Sequence, residues 1–217
     1  MPVPPHLDPN VQIQADRRAV LAHLTAYSVK VALPGQEFLL ASGGRSRLYI
    51  DAKRTTLHRT MHHPIARLLR RELEEFGYLD SVAGVVLGGA HLASLAASHN
   101  TDTTLDSTYN VVFVRRQEKD HGTRNKVEGA WSPRLEDRCV VIEDVLSTGA
   151  TAGAAVTALR YDLFQVVGVV ALLDRRPPHE RTDTVEGTRL RSVFTIEDIG
   201  VDPEVARVLA PEPKENL

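Results

Sequence analysis

"CVVIEDVLSTGATAG", residues 139 to 153, is the stretch on which the fold turns. It opens as a continuous apolar run, the signature of a strand buried on both faces. It closes in hydroxyls and glycine, the chemistry that leads a strand into a helix. Glu143 and Asp144 stand at the junction, followed by Ser147, Thr148, Gly149 and Thr151. Backbone N–H groups and hydroxyls gathered at the positive end of a helix form a cradle for a phosphate. Two carboxylates beside that cradle repel a phosphate unless they accept hydrogen bonds from hydroxyls of the same ligand or face a cation. A ribose 5-phosphate meets both conditions. The competing reading has Asp144 and Thr148 merely capping the helix; capping needs one such residue, and here they crowd together.

Working outward, helical and strand patterns alternate. In "QADRRAVLAHLTAYSV", residues 14 to 29, Val20, Leu21, Leu24 and Tyr27 share one helical face. "EFLLASGGRSRLYID", residues 37 to 51, reads as two short apolar runs around a glycine-basic turn, a hairpin. "HPIARLLRRELEEFGY" carries the stripe Ile65, Leu68, Leu69, Leu73 and Phe76, with Pro64 in the first turn and Gly77 as the stop. Strands "VAGVVL", "YNVVFVR", "CVVIED", "FQVVGVVALLD" and "RLRSVFT" follow, separated by the helices "AHLASLAASH" and "TAGAAVTALRY"; "DPEVARVLA" reads as a last short helix. Val/Ile/Leu-rich strands alternating with helices predict an α/β fold with a mainly parallel sheet flanked by helices, plus a small N-terminal hairpin unit. The expected organisation is a loose proline-rich tail (1–14), a helix and hairpin (15–60), a core (61–200) interrupted by a long loop (116–130), and a C-terminal helix and tail (201–217). A loop of that length in a compact domain is expected to be either a functional lid or disordered.

Composition narrows the class. A chain of 217 residues with 42% hydrophobic and 25% charged residues is long enough for one well-packed domain. A net charge of −2 offers no basic surface for nucleic acid, and no apolar run is long enough to span a bilayer. The single Cys139 excludes an internal disulfide; with no apolar signal core at the N-terminus, a cytoplasmic location is expected. No Walker A loop occurs, and no G-x-G-x-x-G follows a strand. None of the nine histidines stands at zinc-ligand spacing from cysteine.

The order apolar strand, two acids, two residues, Ser-Thr-Gly-x-Thr resembles the PRPP signature of type I phosphoribosyltransferases, where PRPP is 5-phosphoribosyl 1-diphosphate. The resemblance implies that Glu143 and Asp144 hold the ribose hydroxyls. Val145, Leu146, Ser147, Thr148, Gly149, Ala150 and Thr151 would then wrap the 5′-phosphate. "VRRQEKDHGTRNKVEG", residues 114 to 129, resembles the mobile loop of the orotate phosphoribosyltransferase branch. Read on its own, this segment gathers Arg115, Arg116, Lys119 and His121 between two strands, donors suited to closing over a polyanion. The resemblance implies that all four contact PRPP, with Lys119, His121 and Asp144 as the catalytic set; Arg116 replaces the more usual lysine with a planar fork.

"LASGGRSRLYIDAKRTTLH", residues 40 to 58, resembles the N-terminal block of the same branch. Many members carry there a lysine that reaches PRPP or the base, at the position of Ala41. Arg45, Lys53 and Arg54 are candidates to replace it, or are exposed basics. Tyr49 or Ile50 would lie on the pyrimidine face, only one of them because strand residues alternate. In "ALLDRRPPHE", Arg175 matches the orotate contact, with Ser147 also implied to reach orotate. "LGGAHLA" occupies the pyrophosphate-loop position, where Gly88 and Gly89 permit close backbone approach and His91 is either a ligand or a solvated histidine. The family likeness implies transfer of phosphoribosyl from PRPP to orotate in pyrimidine synthesis, Mg2+ carried mainly by PRPP with no direct protein ligand, and a homodimer sharing the mobile loop. Two other functions share this scaffold: transfer to another nucleobase, and non-catalytic sensing of PRPP or nucleotides. The "KDHG" segment and the absence of a DNA-binding module favour an enzyme over a sensor, while the lysine missing at Ala41 keeps another nucleobase open.

Overall fold

The computed structural model describes residues 8–40, 44–99, 108–115, 126–129, 137–202 and Val205. The apolar runs become the parallel strands β5 (Ser81–Val85), β6 (Asn110–Val114), β8 (Arg138–Leu146), β9 (Gln165–Asp174) and β11 (Thr188–Thr195). With β7 (Val127–Glu128) and β10 (Thr184–Val185) at its edges, the seven-stranded sheet runs β10-β11-β9-β8-β5-β6-β7. The five long strands pair in parallel and the two edge strands antiparallel.

Alternation along each strand builds two cores. Val140 and Ile142 of β8 and Val82 of β5 face one side, against α3 (His62–Glu74) and α4 (Gly88–Ser98). Cys139, Val141, Ala83 and Val85 face the other, against Ala152, Ala155, Val156 and Leu159 of α5 (Ala150–Tyr161). The stripe predicted on α3 is where it should be: Ile65, Leu68, Leu69 and Leu73 are buried, as is Phe76 just beyond the helix end. Among the described residues no helix is long and apolar enough to cross a membrane.

Four expectations change. The first helix, α1, spans Pro9–His23 and so begins inside the segment assigned to the tail. Asp8 caps it by accepting from the Asn10 N–H at 2.8 Å, and Pro9 sits where its missing N–H is harmless. Val20 and Leu24 are fully buried, but Tyr27 is exposed, because residues Leu24–Ser28 widen into a π turn that rotates the last turn off the core face.

Secondly, α1 packs beside α3 in the main core, in a cluster that also takes in Leu48 and Ala52 of the N-terminal unit. The buried Asp16 accepts from Arg67 Nε at 2.6 Å and Nη2 at 2.8 Å, and Arg17 donates to the Val193 carbonyl. Thirdly, the hairpin from 37 to 51 divides between two partners. Strand β2 (Phe38–Leu39) pairs with β3 (Arg45–Ser46), whereas β4 (Leu48–Ile50) pairs with β1 (Val29–Val31), a strand not anticipated. Finally, residues 126–129 are not part of an open loop, since Val127 is buried and β7 pairs with β6.

Candidate active site

Strand β5 leads through α4 to β6 on one side, and β8 leads through α5 to β9 on the other. The direction of winding therefore reverses between β5 and β8, and ligands of open α/β sheets bind at such a point, outside the carboxyl ends of the strands. The acid pair lies there at the end of β8. Facing it is the turn after β5, which contains a cis peptide between Val86 and Leu87 and runs into the first turn of α4. The approach is so close that a Cβ on Gly88 would overlap the Asp144 carboxylate, and one on Gly89 would overlap the Ile142 carbonyl. Glycine at 88 and 89 is thus a packing requirement at this junction.

A cavity of about 630 Å3 opens over it. Its floor is Glu143, Asp144, Val145 and Leu146, continuing through Ser147, Thr148, Gly149, Ala150 and Thr151 into α5. Glu143 is buried and Asp144 half-buried. Asp144 does not cap α5. It turns toward Gly88 and accepts from the Val145 N–H at 2.9 Å, while Thr148 Oγ1 accepts from the Ala150 N–H at 3.3 Å. Gly149, at φ 84° in the left-handed region, supplies the bend and no capping side chain. The positive end of a twelve-residue helix therefore opens into the cavity beside the loop hydroxyls.

The other walls come from three directions. Tyr49 and Ile50 both line the cavity, against the expectation of one, while Leu48 is the fully buried residue of β4. The strand ends at Ile50, so strict alternation is not kept there. Arg175 also lines the cavity and is buried; Nη2 donates to Ser46 Oγ at 2.7 Å and to the Leu48 carbonyl at 2.9 Å. Burial lowers its guanidinium to a pKa of about 10, which leaves it a cation at neutral pH.

From the third side come Arg115 and Lys126, the two feet of the predicted mobile loop, joined by a hydrogen bond from the Arg115 N–H to the Lys126 carbonyl. The Arg115 side chain pairs with Glu128 at 2.7 Å. Arg116, Lys119 and His121 lie outside the described residues, as does Ala41.

Of the basics proposed to replace a lysine at Ala41, Lys53 lines the cavity; Arg45 and Arg54 are exposed and do not. His91 is not a cavity residue: its Nε2 lies 2.9 Å from the Thr56 carbonyl, tying α4 to α2 (Lys53–Thr56). Sequence reasoning missed Lys126 and the apolar wall of Leu40, Val85 and Val114. A basic residue directly before a β-branched pair partner was the available sign for Lys126.

The doubly wound sheet, the acids at its switch point and the hydroxyl loop on α5 define a type I phosphoribosyltransferase. No family model matches the chain. It is 34% identical over 191 residues to the orotate phosphoribosyltransferase of Corynebacterium glutamicum, covering 88% of this chain and 97% of that one. It is 32% identical over 185 residues to that of Mycobacterium tuberculosis, covering 85% and 97%. The crystal structure of the M. tuberculosis enzyme in complex with PRPP superposes with a TM-score of 0.65 at 27% identity, over 86% of this chain and 99% of that one. The enzyme from Aeropyrum pernix superposes with a TM-score of 0.59 at 30% identity, over 78% and 90%. The chain belongs to the orotate phosphoribosyltransferase family.

Proposed function

We propose that this cavity binds PRPP and orotate side by side and carries out the transfer that names the family. N1 of orotate bonds to C1 of the ribose as the C1–O bond to the diphosphate breaks, and the N1 proton passes to solvent. The bonding electron pair leaves with pyrophosphate, and orotidine 5′-monophosphate remains, the product that feeds pyrimidine nucleotide synthesis. The observation that carries the reading is the junction at the end of β8, where two carboxylates adjoin the positive end of α5 and its hydroxyl loop. Glu143 and Asp144 accept from the ribose hydroxyls, and Ser147 to Thr151 hold the 5′-phosphate. Tyr49 covers the pyrimidine, whose carboxylate and carbonyls face Arg175 and Ser147.

No covalent nucleophile is needed. Charge builds positive on the ribose ring and negative on the departing diphosphate, so positioning and electrostatics supply the catalysis. Asp144 lies nearest the ribose carbon, and Lys119 and His121 neutralise the leaving group. Among the described residues no group of three or more His, Cys, Asp or Glu forms a metal cage. Mg2+ would be carried mainly by PRPP oxygens rather than by a protein ligand, leaving Glu143 and Asp144 to the ribose hydroxyls. When bound, that ion would offset diphosphate charge. The reading extends to a cytoplasmic homodimer in which the loop from 116 complements the neighbouring site; mixing inactive Lys119→Ala and Asp144→Asn chains should then restore partial activity.

The decisive assay supplies PRPP and Mg2+ with orotate, uracil, hypoxanthine or adenine and follows ultraviolet absorbance. Turnover with orotate, abolished by chelation of Mg2+, is expected. Turnover with a purine and none with orotate would overturn the reading.

A further inference from the structure

Lys53 opens α2, three residues after the end of β4 and two after Asp51. Its Nζ lies 2.8 Å from Asp51 Oδ1, and the side chain is 45% exposed, toward the cavity that Asp144 and Tyr49 also line. The ammonium is held above the ordinary lysine range, first by its hydrogen bond to Asp51 and then, against a smaller effect of burial, by the charges of Asp51 and Asp144. Lys53 is therefore a permanent cation at neutral pH. With one N–H on Asp51, its remaining donors are available to a ligand.

The position of Asp144 indicates which ligand group it meets. That carboxylate is packed against Gly88 at the positive end of α4 and lies within the field of Lys53, so it stands between two electropositive features. The loop from 147 to 151 takes the 5′-phosphate at one end of the sugar. The C1 substituent of the same sugar must then emerge away from that loop, and Lys53, which feels the charge of Asp144, lines the same cavity. We propose that Lys53 is a substrate-binding residue that donates to the diphosphate of PRPP, and to pyrophosphate in the reverse reaction, rather than to the nucleobase. The inference rests on the reading of the cavity as a PRPP site.

The test uses the full chain with Mg2+. Wild-type turnover of PRPP with orotate decides the site reading independently of any variant. Given that turnover, Lys53→Ala should raise KM for PRPP in the forward direction and for pyrophosphate in the reverse by about 10-fold or more, the worth of a charge-assisted hydrogen bond. KM for orotate should stay within about 2-fold, and Lys53→Arg should recover most of the loss because the charge is kept. Arg54→Ala, which removes an exposed neighbour 4.0 Å from Asp51, should leave all three constants unchanged. An unchanged KM for PRPP in Lys53→Ala, an increase confined to orotate, or an equal effect from Arg54→Ala would overturn the assignment.

Discussion

Gly88→Ala tests the geometry at the switch point most directly. The added methyl would occupy space now filled by Oδ2 and Cγ of Asp144. The backbone on that side belongs to the first turn of α4 and is held by the helix, so the carboxylate must give way. Restoring ordinary van der Waals separation requires it to move by about 1 Å or more, a misplacement that in a positioned active site costs about 100-fold in rate. That factor corresponds to about 2.7 kcal/mol of lost transition-state stabilisation. Asp144 is half-buried and can swing into the cavity, so folding should suffer little, with Tm within a few degrees of wild type. The assay is kcat/KM for PRPP by orotate absorbance, with thermal unfolding measured in parallel. Gly84→Ala serves as the contrast, because its methyl would overlap the Gly89 carbonyl, which is backbone and cannot rotate aside. That variant should lose stability as well as activity. A Gly88→Ala enzyme with near-wild-type kcat/KM would refute the claim that Asp144 is held in place by this contact.

Other perturbations probe separate parts of the molecule. Arg175→Ala removes two hydrogen bonds to β3 and β4, and should raise KM for orotate by about 10-fold while moving KM for PRPP less; equal effects on both substrates would contradict a base-side role. Asp16→Ala breaks the fork with Arg67 and should destabilise by about 2 kcal/mol in urea unfolding, less than for a fully buried pair because Arg67 remains partly solvated. A loss below about 0.5 kcal/mol would show the pair to be dispensable.

Acid sensitivity should come from the histidines. His99 is held below the ordinary 6.5 by burial and then by Arg67, His63 and Arg70, against an opposing pull from Asp16; His23 is lowered by burial and His58. With the folded-state values depressed, the unfolded chain binds protons first. Their contribution to stability is full above pH 6.5 and is lost as the pH falls below it. Tm should therefore drop between pH 7.5 and 5.5, and His99→Gln with His23→Gln should flatten that drop; an unaltered slope would place the acid sensitivity elsewhere.

What could be read ahead of the structure was whatever depends on local pattern. The buried strand β8, the acids at its end, the glycine bend and the stripe on α3 each declare themselves within one short window. The contacts that finish the site are long-range. Gly88 meets Asp144 across 56 positions of chain, and Arg175 reaches Ser46 across 129. No periodicity encodes such distances. The pairing of β4 with β1 was hidden for the same reason, since three residues on each strand carry too weak an alternation to choose a partner. The start of α1 at Pro9 was obscured by prolines that suggested a tail, although Asp8 and Pro9 form a recognisable helix entry.

The two outermost strands bear on how this protein associates. Long, flat sheet borders offer rows of unsatisfied N–H and C=O groups that recruit further strands, whether from a partner or from a misfolded copy. Here both borders, β7 and β10, consist of two residues each, set antiparallel to the long strands they cover. Val127 and Val185 are turned into the core, which leaves little apolar side chain to template an incoming chain. Assembly by sheet continuation is thereby disfavoured. Among the described residues, self-association through these two borders would thus have little strand to extend, leaving the central sheet that sets the spacing of the acids undisturbed.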